Sequence, residues 1–225
     1  MPIEKGDFVT LSYTGSIAGV IFDSTDEDVA KEAGIHSPGA LYGPVTVAVG
    51  SHHVILGLDE ALEGKDIEEE GEIDVPSEKG FGEHDGSKVE AFNKNSFKDK
   101  PKKGATIKVP DKGEGTVVDV IGNRVLIDFN HPFAGKELHY RFRIEGQVTD
   151  IEEKVKGLIR LYAGQDMETS FSDGTLTITL PPGINYDRRW VLWRSRIVHE
   201  ALELIPDIEK ISLVESFTRQ EKEDA

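Results

Sequence analysis

Apolar and polar positions alternate from residue 3 to 24, with Phe8, Val9, Leu11 and Tyr13 leading to a turn predicted at Gly15 and then "VIFDS" at 20–24. A period of two is the signature of strands, so the chain opens in β structure. Residues 26–43 are polar and carry Gly34, Pro38, Gly39 and Gly43, which predicts an excursion with one helical turn. "VTVAV" at 45–49 reads as a strand broken by Gly50. Val54, Ile55, Leu58, Ala61 and Leu62 then fall at helical spacing, predicting a short helix over 54–62 that ends at Gly64. The acidic run at 68–70 reads as a solvated loop before another strand, and "PSEKGFGEHDGS" as a loop.

The pattern then changes. "FNKNSFKDKPKKG" is locally basic, and β-like runs follow at 105–109, 115–121 and 124–129, the last two joined by a tight turn at "GNR". Strand character returns at 138–148. Beyond it Val155, Leu158, Ile159 and Tyr162 share one helical face, and "SFSDGTLTITL" reads as a hairpin with an Asp-Gly turn. A helix is predicted from Asp187, its N-cap, to Ile205, with Trp190, Trp193, Ile197, Ala201 and Leu204 as its buried stripe. Pro206 stops it, "KISLVESF" is a last strand, and the charged tail at 218–225 is expected to be disordered.

Composition narrows the function classes. A formal charge of -16 over 225 residues has the wrong sign for neutralising phosphates, which argues against nucleic acid. No apolar run approaches the roughly 18 residues of a membrane span, and the N-terminus lacks signal-peptide order, so a soluble cytoplasmic chain without a membrane partner is expected. The absence of cysteine excludes disulfides and thiolate metal sites.

The polar candidates are weak. His52 and His53 are sequence neighbours whose side chains diverge, so they suit a solvated turn better than a metal site. "GEHD" at 82–85 reads as a surface turn, and "DKGEGT" at 111–116 lacks the ending of a phosphate loop. "HEALE" at 199–203 ends in Glu203, not in the second histidine of a zinc helix, and reads as an amphipathic face. What remains is a set of apolar and aromatic residues around one early acid, Asp23. Taken singly, these residues read as a plain hydrophobic core.

Their order carries more. "SYTG" at 12–15, "FDST" at 22–25, "VGSHHVILGLDEAL" at 49–62 and "FGEHD" at 81–85 together resemble FKBP-type peptidyl-prolyl cis-trans isomerases. The insertion after "FGEHD" and the return at "NHPFAGKELHYRFRI" resemble the SlyD-like branch, and the extra C-terminal unit resembles the long archaeal form. The resemblance implies an α+β fold: an antiparallel FKBP-like sheet wrapped on a short helix, a mainly-β insert-in-flap domain, and a C-terminal αββαβ domain. The expected boundaries are 1–87 and 131–152 for the isomerase domain, 88–130 for the insert and 153–225 for the C-terminal domain.

The implied activity is isomerisation of X-Pro bonds in unfolded or partly folded polypeptides, with chaperone activity from the insert and no cofactor. Tyr13, Asp23, Ile55 through its backbone N–H, Phe81 and Tyr140 match catalytic positions. Phe22, Val45, Val47, Val54 and Leu58 match the pocket lining. Asp23 either touches substrate or orders Tyr13. Leu58 stands where a tryptophan often forms the floor, and Phe81 where a tyrosine hydroxyl is common. In the insert, Ala91, Phe92, Phe97 and Ile107 are candidates for a client-binding surface, and at least equally for its core. The alternative is a holdase whose FKBP-like domain is catalytically silent. Nickel handling is disfavoured because the tail has no histidines. Homodimer formation through the C-terminal domain is the remaining expectation on partners.

Overall fold

The computed structural model describes residues 2–217, so the predicted disordered tail at 218–225 lies outside the described residues. The chain divides into two units, residues 2–74 with 139–217 and residues 75–138.

In the first unit, β1 (Phe8–Ile17), β2 (Val20–Ser24), β3 (Val45–Ala48), β4 (Glu70–Val75) and β9 (Leu138–Gln147) make an antiparallel sheet of order β2-β1-β9-β4, with β3 also on β1. Val9 and Leu11 of β1, Val47 of β3 and Ile144 of β9 are fully buried, together with Leu58 and Leu62 of the short helix α2 (Leu56–Leu62). Strand alternation thus gives the sheet an apolar face, and α2 buries its own apolar residues. Helix α1 (Glu27–Glu32) lies in the polar excursion and is capped by Asp26, whose side chain accepts from the Asp28 and Val29 amides.

Three local readings are corrected. Gly15 is not a turn: β1 runs on to Ile17, and Ala18 and Gly19, at φ 49 and 81, make the two-residue turn to β2. Helix α2 starts at Leu56, with Ile55 extended ahead of it as the N-cap. Glu70 is not in a loop; it opens β4 and pairs with Arg143 at 2.7 Å.

The C-terminal part of this unit is α3 (Ile151–Ala163), β10 (Glu168–Ser172), β11 (Thr175–Leu180), α4 (Arg188–Leu204) and β12 (Lys210–Glu215). The sheet order is β10-β11-β12, antiparallel and then parallel. Asp150 caps α3, Gly164 ends it at φ 67, and Asp187 caps α4 by accepting from the Trp190 amide at 2.8 Å. The core joins Val155, Leu158 and Ile159 of α3 to Leu176, Ile178, Trp190 and Ile197, and it also takes in Phe8 and Ala48 of the isomerase sheet. Trp190 is buried, but Trp193 leaves the predicted stripe: it is 41% exposed and stacks on Tyr162 at 5.6 Å.

The second unit contains β5 (Val89–Asn93), β6 (Thr106–Val109), β7 (Gly113–Ile121) and β8 (Arg124–Asp128) in the antiparallel order β5-β8-β7-β6. β5 was not anticipated, because "VEAFN" is short and has a charge and a small residue inside it. Val109, Val117, Val125 and Ile127 form this sheet's own core, with Phe92, Phe97 and Phe129 packed against it. Among the described residues no helix is long and apolar enough to cross a membrane.

Candidate active site

The register of three strands assembles the aromatic site. Gly15 of β1 lies opposite Asp23 of β2 on one side and Tyr140 of β9 on the other, and paired residues of neighbouring strands project to the same face. Simple alternation would send Phe22 and Asp23 to opposite faces. A bulge prevents this: Gly15 pairs with Asp23 but Ser16 pairs with Ile21, so Phe22 is the extra residue and its ring turns to the same side as Tyr140. The Phe22 and Tyr140 rings meet edge to face at 5.9 Å, and Tyr13 and Tyr140 lie 5.9 Å apart.

Glycine at position 15 follows from this crowding. A Cβ there would stand 2.8 Å from the Tyr140 ring and 2.9 Å from Phe22, distances that real Cβ atoms do not show. The "SYTG" glycine therefore makes room for two rings.

Asp23 supplies the polar feature. The Tyr13 hydroxyl donates to its Oδ2 at 3.2 Å. Burial raises the Asp23 pKa above the ordinary carboxylate value, against the opposing pull of the Tyr13 and Ser24 hydrogen bonds. Burial, then the Asp23 charge, pushes the Tyr13 phenol well up, and the same two causes raise Tyr140. Tyr13 is therefore a neutral donor at any physiological pH, and the carboxylate is an acceptor held in a dry setting.

The segment before α2, with α2 and β3, carries the other lining residues expected from the sequence. Val54 and Ile55 are half-buried, Leu58 and Val47 are fully buried, and Val45 is half-buried at the start of β3. The Ile55 carbonyl accepts from Leu58 and Asp59, whereas no acceptor for its N–H is found among the described residues. Phe81 belongs to the second unit, where it stacks on His131 at 4.3 Å with Phe133 edge-on at 5.4 Å. In that unit Ala91 is exposed, and Phe92 and Phe97 are half-buried, with rings 6.2 Å apart.

Two buried acids, Asp59 and Glu200, are not among the site residues expected from the sequence. Asp59 is 1% exposed and accepts from the Gly50 and His52 amides at 2.9 Å each, tying down the turn ahead of the pocket wall. Glu200 is buried in α4 and holds His53, considered below. A signal existed for both, since each is a charge on a buried helix face, next to Leu58 in α2 and between Ile197 and Ala201 in α4. The pair His52 and His53 is split by the fold: the His52 side chain is 64% exposed in a turn, as expected, but that of His53 is fully buried, which corrects the solvated-turn reading for it.

A groove of about 510 Å³ in the first unit is lined by Tyr13, Thr25, Val29, Glu72, Arg141 and Phe142, among others. Its walls mix the Tyr13 and Phe142 rings and Val29 with hydroxyls and charged side chains. Among the described residues no group of three or more metal-ligating side chains comes together.

Comparison with known proteins agrees with this geometry. The family model described as FKBP-type peptidyl-prolyl cis-trans isomerase matches residues 1–114, and one described as FKBP26_C-terminal matches residues 151–218. A short-type peptidyl-prolyl cis-trans isomerase of Methanocaldococcus jannaschii is 34% identical over 148 residues, covering 63% of this chain and 92% of the relative. The FKBP-type isomerase SlyD of Haemophilus influenzae is 30% identical over 151 residues, 64% of this chain and 72% of that one. The SlyD of Helicobacter pylori is 26% identical over 138 residues, 59% and 69%. The chain belongs to the FKBP-type peptidyl-prolyl cis-trans isomerase family.

Proposed function

We propose that the enzyme turns X-Pro bonds of unfolded or partly folded polypeptides in the pocket formed by Tyr13, Phe22, Asp23, Val54, Ile55, Leu58 and Tyr140, and that the second unit holds the client chain meanwhile. An X-Pro bond rotates over a barrier of roughly 18–20 kcal/mol because twisting it breaks amide resonance. The twisted amide has less charge separation than the planar one. A dry apolar wall therefore favours it, and each 1.4 kcal/mol or so of that preference is worth about tenfold in rate. No nucleophile, metal or proton transfer is needed. In this reading the aromatic and aliphatic walls take the proline ring, the free Ile55 N–H donates to a substrate carbonyl, and Tyr13 with Asp23 orients the twisted amide.

The observation that carries the proposal is the Tyr13 to Asp23 hydrogen bond beside the Phe22 and Tyr140 rings. A half-buried carboxylate whose pKa is raised by desolvation opposes folding at neutral pH, so its place beside two aromatic rings calls for a functional reason. Asp23→Asn removes the charge and keeps an acceptor. It is expected to lower kcat/KM on a short proline peptide by about tenfold, equivalent to 1.4 kcal/mol in the barrier. The same variant is expected to raise Tm at neutral pH. Because the folded pKa lies above the unfolded one, that gain is absent below the unfolded carboxylate pKa and grows as pH rises through the folded value. Wild-type activity in Asp23→Asn and in Tyr13→Phe would leave only the alternative, a holdase with a silent isomerase fold.

The partner proposed for the C-terminal domain is a second copy of the chain. Val191 and Leu192 on α4 are 53% and 63% exposed, an apolar pair that self-association would cover. Sedimentation equilibrium is expected to give a dimer that Leu192→Glu dissociates; a monomer at all concentrations removes this assignment.

A further inference from the structure

His53 sits directly before the pocket wall and yet is held from the C-terminal domain. Its fully buried ring accepts from the Ala48 amide at Nδ1, 3.0 Å, and hydrogen-bonds through Nε2 to Glu200 Oε2, 3.0 Å. An amide can only donate, so Nδ1 carries no proton and Nε2 is the donor to Glu200. The other carboxylate oxygen of Glu200 is also used: it accepts from the Tyr162 hydroxyl at 2.8 Å and from Arg196 Nε at 2.7 Å. The Tyr162 ring meets the imidazole edge to face at 6.0 Å. A single hydrogen-bonded path thus runs from α3 and α4 through the imidazole to the end of β3. The covalent chain continues from His53 into Val54 and Ile55. On the other side, Asp59 fixes the Gly50 and His52 amides from α2.

We propose that Glu200 is a positioning residue for proline isomerisation, acting through His53 to fix the backbone at Val54 and Ile55 that presents the N–H to the substrate carbonyl. This rests on the role given to the Ile55 N–H above. The C-terminal domain is on this view part of the catalytic framework. Turn segments of this kind otherwise relax easily, and a donor displaced by a fraction of an ångström loses most of its value in a twisted-amide complex.

The link also has a pH sense. The charged and titratable groups facing His53 are Glu200 and Arg196 from α4, Tyr162 from α3 and Asp59 from α2, with Lys5, His199 and Glu203 lining the groove beyond Glu200. Burial lowers the His53 pKa, outweighing the pull of Glu200. A second proton on the ring must go to Nδ1, where it collides with the Ala48 donor. The link is therefore intact when His53 is neutral, and it opens as pH falls through the folded pKa, below the ordinary histidine range.

The test uses the full chain and a short proline peptide. Glu200→Ala and His53→Ala are each expected to lower kcat/KM by about tenfold, and the double variant by no more than either alone. His53→Gln, which keeps a donor for Glu200 and cannot titrate, is expected to recover part of the activity and to lose the acid limb of the wild-type pH profile. The Ile55 amide resonance is expected to shift in Glu200→Ala at a temperature where the variant is fully folded, which a role in stability alone would not produce. Should Glu200→Ala unfold, Glu200→Leu, which keeps the bulk and removes both acceptors, provides the same readings. Unchanged kcat/KM in the Glu200 variants beside a loss in Asp23→Asn overturns the positioning role and leaves the pocket standing. Unchanged activity in both overturns the pocket reading, and the positioning role falls with it.

Discussion

Excision of residues 89–128, with the flanks rejoined by a short glycine link, is expected to leave kcat/KM on a proline peptide within about threefold and to cut the acceleration of proline-limited protein refolding by about 100-fold. The geometry favours a clean excision. Val89 of β5 pairs with Asp128 of β8, and the Phe129 amide donates to the Lys88 carbonyl at 3.1 Å, so the two ends of the insert already meet. The insert's sheet has its own core of Val109, Val117, Val125 and Ile127, supported by Phe92, Phe97 and Phe129. The size of the effect comes from tethering. A peptide binds and leaves at the pocket in one step, whereas a folding chain held by a second site re-enters the pocket at an effective concentration set by the linker. Refolding of a protein limited by a single X-Pro bond, followed by fluorescence with matched concentrations of both enzymes, measures this. Equal losses on peptide and protein would make the insert part of the pocket and end its separate role.

Trp190→Ala is expected to destabilise the first unit by about 3–5 kcal/mol, the usual effect of emptying a large aromatic site in a packed core. Trp190 is fully buried among α3, α4 and β11, and its Nε1 has no hydrogen-bond partner among the described residues. The loss is thus a matter of volume and contact, with no hydrogen bond to be broken. Trp190→Phe, which refills much of the space and removes the unpaired N–H, is expected to lose far less. The same cluster contains Phe8 and Ala48 of the isomerase sheet, and Phe8 also carries the Lys154 ammonium 5.3 Å from its ring centroid. Melting of the C-terminal domain should therefore pull on the isomerase sheet in the same transition. Urea unfolding followed by circular dichroism and by peptide activity checks this: coincident curves shifted together are expected, and activity that survives the loss of the C-terminal helices would contradict it.

Much of the architecture was legible because it depends on local chemistry. Alternation in "FVTLSY" marks a half-buried strand whatever lies beside it, and Asp150 and Asp187 cap helices through atoms within three residues. The Asp-Gly turn at 173 and 174 is equally local, since positive φ at both positions selects those residues. Strand β5 was missed for the converse reason: "VEAFN" has too little pattern of its own and is strand-like because β8 supplies a partner.

The site divides in the same way. The residue types of the pocket, aromatic and aliphatic side chains around one acid, were readable from the order of short motifs. Their convergence was not. It needs a bulge at Phe22 that cancels alternation and a register that sets Tyr140 against Gly15, and both are properties of strand pairs. His53 shows the limit most sharply. From sequence it is one of two adjacent histidines in a turn, whereas its burial depends on Glu200, 147 residues away.

By itself, then, the amino-acid sequence determined most of the secondary elements, the caps at Asp150 and Asp187, the Asp-Gly turn and the family, because each follows from neighbouring residues or from their order. Only the tertiary structure decided which face Phe22 takes, that Trp193 reaches solvent, and that Glu200 of α4 holds His53. Those depend on pairing between distant segments, where the free energy of a buried polar group is settled by the partner it meets.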